Sequence, residues 1–466
     1  MQLHTEMPLP TRRQFLNRYV PAGILGPLAA TSAMASTASE SSVGAASRAA
    51  SGQDVMPFEQ KLGRYAEVVV KVGLNLQHRQ RLLIITSIET APLVRQITTR
   101  AYEAGARLVD VIWTDQQLDL LRLQHAPRDS FGEFPDWPVA AALEYLDRGD
   151  ATLQIFAEDP DLLNDQDPAL TAQSGQAMME KLAPVMTRMS RNETNWLVIP
   201  ASVEGWAAKV FPNLPPSQQQ DRLWDAIFEM CRINCADPMA AWQDHIAALQ
   251  ARCDYLNRKH YAGLKYTAPG TDLTVALPDL HVWRGGRLTS SHGVAFVPNL
   301  PTEEVFTLPH KDKANGTIRA TKPLSFQGAM LEDFSFRLSQ GRVVEVTAAR
   351  GRELLKNMID HVDGFSRLGE VALVPRNCPI ARSGVLYYNA LIDENAASHI
   401  ALGTAFRFTL QGGETMSAEA FAAAGGNESM MHLDFMVGCD ELDIDGILAG
   451  GSAEPIMRQG EWAFSI

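Results

Sequence analysis

Cysteine is scarce in this 466-residue chain: there are five, and no Cys-x-x-Cys pair. Cys231, Cys235, Cys253, Cys378 and Cys439 cannot build the disulfide framework of a small secreted domain, and they read as structural thiols, with Cys231 and Cys235 expected one turn apart in a helical stretch where they could bridge only with strain. Clustered positive charge is missing too. Lys and Arg number 41 against 54 Asp and Glu, a net charge of −13, and no basic patch occurs beyond the N-terminus. That balance leaves no electrostatic footprint for a nucleic-acid partner. No apolar run reaches the roughly 20 residues that a helix needs for a permanent membrane span. No Gly-x-Gly-x-x-Gly follows a predicted strand and no Walker A motif is present, so neither a dinucleotide nor a P-loop nucleotide is expected. What remains is an acidic, globular composition, 46% hydrophobic and 20% charged, with a length that suits roughly two or three domains.

The N-terminus carries a distinct pattern. Thr11-Arg12-Arg13-Gln14-Phe15-Leu16 resembles a twin-arginine export signal. A weakly apolar stretch from Tyr19 to Ala30 follows, and Ala33-Met34-Ala35 supplies the small-x-small pattern of a signal-peptidase site. Residues 1–35 are therefore expected to be a signal peptide cleaved before Ser36, which predicts a periplasmic or secreted protein. Residues 36–54, rich in Ser, Ala and Gly, read as a flexible linker.

From residue 55 the texture alternates. Phe58 to Leu74 and Ala91 to Ala104 repeat apolar residues at helical spacing. Between and after them come the strand-like runs Arg81–Thr86, Leu108–Trp113, Ala151–Phe156 and Trp196–Pro200. Strands separated by helices of ten or more residues predict a parallel sheet flanked by helices, hence an N-terminal α/β domain over 55–260 that ends in helices between 215 and 258. Beyond Lys265 shorter strands and turns take over, with helices expected at Arg352–Val362 and Asn395–Leu402. Residues 261–466 read as an α+β C-terminal domain, and this is where potential metal ligands concentrate.

His432-Leu433-Asp434 lies in a predicted strand, so His432 and Asp434 share a face amid apolar neighbours. Burying both there is costly unless they are paired or coordinated. Asp393-Glu394 precedes His399 in what reads as a helix opening, where acidic residues suit the helix dipole. Glu303-Glu304 follows Pro301-Thr302, and Glu370 begins the strand that follows Gly369. Singly, each of these is ordinary. Together, two histidines and several carboxylates make a mixed N/O donor set that suits Zn, Co or Mn at a hydrolytic site better than thiolate-seeking metals.

Four separated segments, Asn299–Thr307, Gly369–Val374, Tyr388–His399 and His432–Gly438, resemble the M29 family of aminopeptidases, with support from Pro269–Thr274 and Thr321–Ser325. The resemblance runs from about residue 58 to the C-terminus. It implies an exopeptidase with two divalent metal ions (Zn, Co or Mn) held by Glu304, Glu370, Glu394, His399, His432 and Asp434, acting on peptides with a free N-terminus through a metal-bridging hydroxide. It also implies a homodimer. Glu370 is then the candidate bridging carboxylate and Glu394 a ligand that also handles protons, though these two catalytic roles are interchangeable on sequence, and Glu304 is preferred to Glu303 by motif alignment alone. The chain departs from the family at Phe406, where the pattern has Tyr seven residues after the His. A hydroxyl there could donate to a tetrahedral intermediate, a contribution of about 2.7–4 kcal/mol to the barrier, or the ring could serve only in packing. Two other readings use the same residues: a mononuclear Fe(II) ring-cleaving dioxygenase with His399, His432 and Asp434 as its facial set, and a peptide-binding homologue weakened by Phe406.

Overall fold

Leu82, Leu83 and Ile84 are buried in succession, which requires a strand covered on both faces. In the computed structural model, which describes residues 56–326 and 329–466, they lie in the second strand of a four-stranded parallel sheet. Its order is Leu108–Thr114, Arg81–Ser87, Ala151–Phe156, Trp196–Pro200. Leu82 and Ile84 pack with Leu62, Leu93 and Ile97 of the helices Phe58–Val68 and Ala91–Glu103. Leu83 turns the other way, onto Tyr145, Leu146 and Val185 of the helices Trp137–Asp147 and Pro168–Met189. The expected signal peptide and linker lie outside the described residues.

Two further helices, Pro216–Met230 and Pro238–Lys259, lead into antiparallel structure. Eight strands form one antiparallel sheet, in which Thr271–Ala276 and Gly263–Ala268 lie at the centre and pair with Ala314–Arg319 and Asp443–Ile447. A second antiparallel sheet has the order His432–Met436, His399–Gly403, Leu368–Leu373, Val305–Thr307. The fold is thus a parallel sheet with helices joined to antiparallel sheets. Segments 297–300 and 374–396 return to the first hydrophobic core through Leu300, Cys378, Ile380 and Ile392. Among the described residues no helix is long and apolar enough to cross a membrane.

Two local expectations are corrected. The segment Asn395–Leu402 is not a helix: a short helical turn, Ala390–Asp393, tightens through Glu394–Ala396, and Ala397 is fully extended at φ −162°, ψ 156°. His399 therefore opens a strand. Its helix-like signal came from Asn-Ala-Ala-Ser, whose weak preference yields to strand pairing on both sides. Likewise Cys231 and Cys235 do not share a helix, because the helix ends at Met230, and all five cysteines are free thiols.

Candidate metal centre

Register brings the predicted ligands together. Directly opposed residues in a sheet share a face, and Ala401 lies opposite both Glu370 and Asp434, while Gly403 lies opposite His432. His399 lies opposite Ala372 and Met436, two residues along from Ala401 and so on the same side. Phe306 pairs with Ala372, which places Glu304 on that face as well. The other face carries Val305, Val371, Leu373, Ile400, Leu402, Leu433 and Phe435 into the second hydrophobic core. On the ligand face the central strand offers only Ala401 and Gly403 beyond His399, so a hollow is left between the functional side chains. Gly403 is required there: its φ is +104°, and a Cβ would fall 1.9 Å from the Met431 carbonyl oxygen.

Within the hollow, Glu370 stands between the two histidines. Its Oε1 is 3.5 Å from His399 Nε2 and its Oε2 is 3.7 Å from His432 Nε2. Glu304 Oε2 approaches His399 Nε2 to 3.1 Å, and Asp434 Oδ1 approaches His432 Nε2 to 3.1 Å. Two groups result, Glu304–Glu370–His399 and Glu370–His432–Asp434, each with donor atoms within 4.8 Å of one another and with Glu370 in common. Each imidazole is oriented from behind: His399 Nδ1 lies 3.1 Å from the Ala397 carbonyl and His432 Nδ1 lies 2.7 Å from that of Thr404. Donation from Nδ1–H to these carbonyls leaves both Nε2 atoms facing the carboxylates, the arrangement usual for metal-binding histidines.

The electrostatics call for cations. Glu304 Oε2 and Glu370 Oε2 are buried and accept no well-aligned hydrogen bond. Burial pushes Glu370 up to about 7, with help from Asp434 and Glu304. Burial also lifts Glu394 well above the usual carboxylate range, again reinforced by Asp434 and Glu304. For His432, burial opposes the imidazolium, but Asp434 and Glu370 more than offset it and raise the group to about 9. His399 is raised in the same way by Glu304 and Glu370. Positions that attract protons this strongly also attract metal ions, and the orphaned oxygens, the oriented Nε2 atoms and the hard N/O donor set all fit divalent cations.

Glu394 lines the same cavity but belongs to neither three-residue group. Glu303, the alternative to Glu304, points elsewhere: its carboxylate pairs with Arg232 at 2.8 Å. Asp393 does not cap a following helix; its carboxylate accepts the Tyr387 and Asn389 N–H groups at 2.8 and 3.0 Å. Phe406 faces His432 with ring centroids 5.1 Å apart and stacks on Phe408. With Phe306, Leu288, Trp196, Met186 and Met189 these rings form an apolar wall beside the acidic hollow. Sequence reading missed this wall, whose members lie far apart in the chain and carry only the ordinary signal of core residues.

Comparisons with known proteins agree with this geometry. Residues 58–462 match the family described as thermophilic metalloprotease (M29). The chain is 44% identical to aminopeptidase 2 of Geobacillus stearothermophilus, over 88% of this chain and 99% of that protein. It is 41% identical to aminopeptidase AmpS of Bacillus subtilis, over 87% and 99% respectively. Its fold superposes on the solved structure of wild-type AmpT from Thermus thermophilus with a TM-score of 0.83 and 39% identity, covering 88% of this chain and all of the other.

Proposed function

This chain belongs to the M29 metallopeptidase family and is a metallo-aminopeptidase, and from that premise we propose that it removes N-terminal residues from peptides at a centre of two divalent ions, Zn, Co or Mn, sharing Glu370. The observation that carries this reading is the placement of Glu370, whose two oxygens face two different histidines. Glu304 and His399 would complete one position, His432 and Asp434 the other. When bound, such ions would lower the pKa of a water and polarise the scissile carbonyl. The split of His399 and His432 between two groups counts against a single facial set of His399, His432 and Asp434.

The chain's own residues divide the remaining work. Glu370, facing both histidines, suits the bridge. Glu394 lines the cavity and holds its proton more tightly than an ordinary carboxyl, which suits moving a proton to the leaving amine as the C–N bond breaks. The wall of Phe306, Phe406, Phe408, Trp196, Met186 and Met189 offers apolar contact and excludes water, so it favours a bulky apolar N-terminal side chain. The Arg12-Arg13 leader supports export, and the family resemblance supports a homodimer. A reporter fused after Ala35 and the solution mass of the mature protein test those two readings.

The deciding experiment measures metal per chain on the purified mature protein, together with hydrolysis of leucyl p-nitroanilide before and after chelation. Two ions per chain and cleavage that is lost to chelator and restored by Co, Zn or Mn are expected. Chelator-insensitive cleavage would refute the mechanism. One iron per chain would return the case to the dioxygenase, and two ions without cleavage of any peptide to a weakened homologue.

A further inference from the structure

Backbone pairing positions four of the six candidate ligands. Glu370, His399, His432 and Asp434 are ladder residues of three adjacent strands. Glu304 and Glu394 are not. The ladder to Leu368–Leu373 begins at Val305, one residue after Glu304, and Glu394 lies in a helical turn. Something else must hold these two carboxylates in place relative to the sheet.

Asn395 joins the two segments that carry them. Its side-chain Oδ1 accepts the Glu303 N–H at 2.7 Å across 92 residues of sequence, and its Nδ2 donates to the Leu391 carbonyl at 3.0 Å. Its own carbonyl accepts the Cys378 thiol at 3.3 Å. The residue is wholly buried. A side chain that must accept from one backbone and donate to another at this length is an amide: Ala does neither, and Asp would set a buried carboxylate oxygen against a carbonyl.

A second set of contacts, from the turn after Met230 and the helix Pro238–Lys259, grips the same stretch. Arg232 Nη2 lies 2.8 Å from Glu303 Oε1 and 3.0 Å from Oε2. The guanidinium rests on the Trp242 ring at 4.9 Å and contacts His245 Nδ1 at 3.0 Å. His245 Nε2 in turn donates to the Thr302 carbonyl at 2.7 Å. The Thr302 carbonyl, the Glu303 N–H and the Glu303 carboxylate are therefore all occupied immediately before Glu304. The next carboxylate along, that of Glu304, is the one directed at His399.

We propose that Asn395, backed by the Arg232–Glu303 pair, is the positioning residue that sets where Glu304 and Glu394 stand relative to the strand-borne ligands. The inference rests on the dinuclear reading above and adds a prediction of asymmetry. The group Glu304–Glu370–His399 depends on the clamp, whereas Glu370–His432–Asp434 is built by strand pairing alone.

The test titrates ion-stripped full-length mature protein with Co²⁺ in competition with a chromophoric chelator, for wild type, Asn395→Ala, Asn395→Asp and Arg232→Lys, with thermal melts run alongside. Outer partners of metal ligands typically contribute about 10–100-fold in affinity. Asn395→Ala is expected to weaken one of two binding steps by about that factor and to leave the other within about threefold. Asn395→Asp, which keeps the acceptor for Glu303 N–H, should recover part of the loss. Arg232→Lys, which keeps the charge but not the fork, should weaken the same step less. If Asn395→Ala does not fold, Asn395→Asp and Arg232→Lys carry the test. Folded variants in which both steps weaken equally, or neither does, overturn the proposal. A wild-type chain that takes fewer than two ions instead overturns the dinuclear reading, and this inference with it.

Discussion

Filling the metal centre should release protons. The stripped protein at pH 7 holds His432 near 9, because Asp434 and Glu370 outweigh the opposing effect of burial, so this imidazole is protonated in about 99% of chains. His399 is raised in the same direction by Glu304 and Glu370 against burial. Glu370, lifted by burial to about 7, carries about half of a proton. Ligands must lose their protons before they bind, so at least one should leave each chain as it fills at pH 7. The sign follows from the direction of the shifts. Below 7 more protons compete and binding weakens; as pH rises toward 9 the competition at His432 fades. At pH 7 that proton alone opposes binding by about 3 kcal/mol, on the order of a hundredfold in apparent affinity. Calorimetric titration with Co²⁺ at pH 7 and 8.5, in pairs of buffers with different ionisation enthalpies, counts the protons directly. Release of less than one proton at pH 7, or an affinity unchanged at pH 8.5, would refute the picture of a centre held together by protons when ions are removed.

Three further outcomes are expected. Phe406→Tyr places a hydroxyl on the ring facing His432 and should raise kcat by up to about 10²-fold with KM little changed; steady-state kinetics on leucyl p-nitroanilide with kcat within about twofold would assign the ring to packing alone. Burial, with Arg232, holds His245 down to about 3 against 6.5, so the unfolded chain takes up a proton that the fold refuses. Its contribution to stability is complete above 6.5 and is lost as pH falls, by about 2 kcal/mol between pH 7 and 5, and urea unfolding of His245→Gln should show a slope shallower by that amount. Gly403→Ala forces a Cβ to within 1.9 Å of the Met431 carbonyl at a φ of +104°; a loss of about 3 kcal/mol or more is expected, and an unchanged Tm would contradict it.

Legibility varied with how local each signal is. Arg81–Ser87, Ala151–Phe156 and Trp196–Pro200 were readable because a short apolar run between helical patterns is almost self-sufficient evidence for a buried parallel strand. The pairing of His432 with Asp434 was readable for a related reason: a period of two puts i and i+2 on one face, and the structure joins them at 3.1 Å. His399 was misplaced because Asn395, Ala396, Ala397 and Ser398 carry no strand preference of their own; that stretch is extended because of what lies on either side of it. Glu303 and Glu304 could be told apart only by their partners, Arg232 for one and His399 for the other, both distant in sequence. Asn395 escaped notice for the same reason: nothing about a lone Asn announces that both ends of its amide are in use.

The strands that carry the ligands are also walls of the second core, so one alternation serves two purposes. Deleting a single residue within Glu370–Leu373, His399–Gly403 or His432–Met436 would turn carboxylates and imidazoles into the apolar interior and bring Val371, Ile400 or Leu433 into the hollow. Insertions and deletions are thus excluded from these three strands by stability as well as by chemistry. Apart from Phe306 and Trp196, which sit in sheet strands, the apolar wall is under no such restriction, because Met186 and Met189 come from a helix of the other half and Leu288, Phe406 and Phe408 from short segments outside the ligand-bearing sheet. Descendants of such a chain would keep one reaction while exchanging side-chain preferences, with length changes confined to the rim of the cavity.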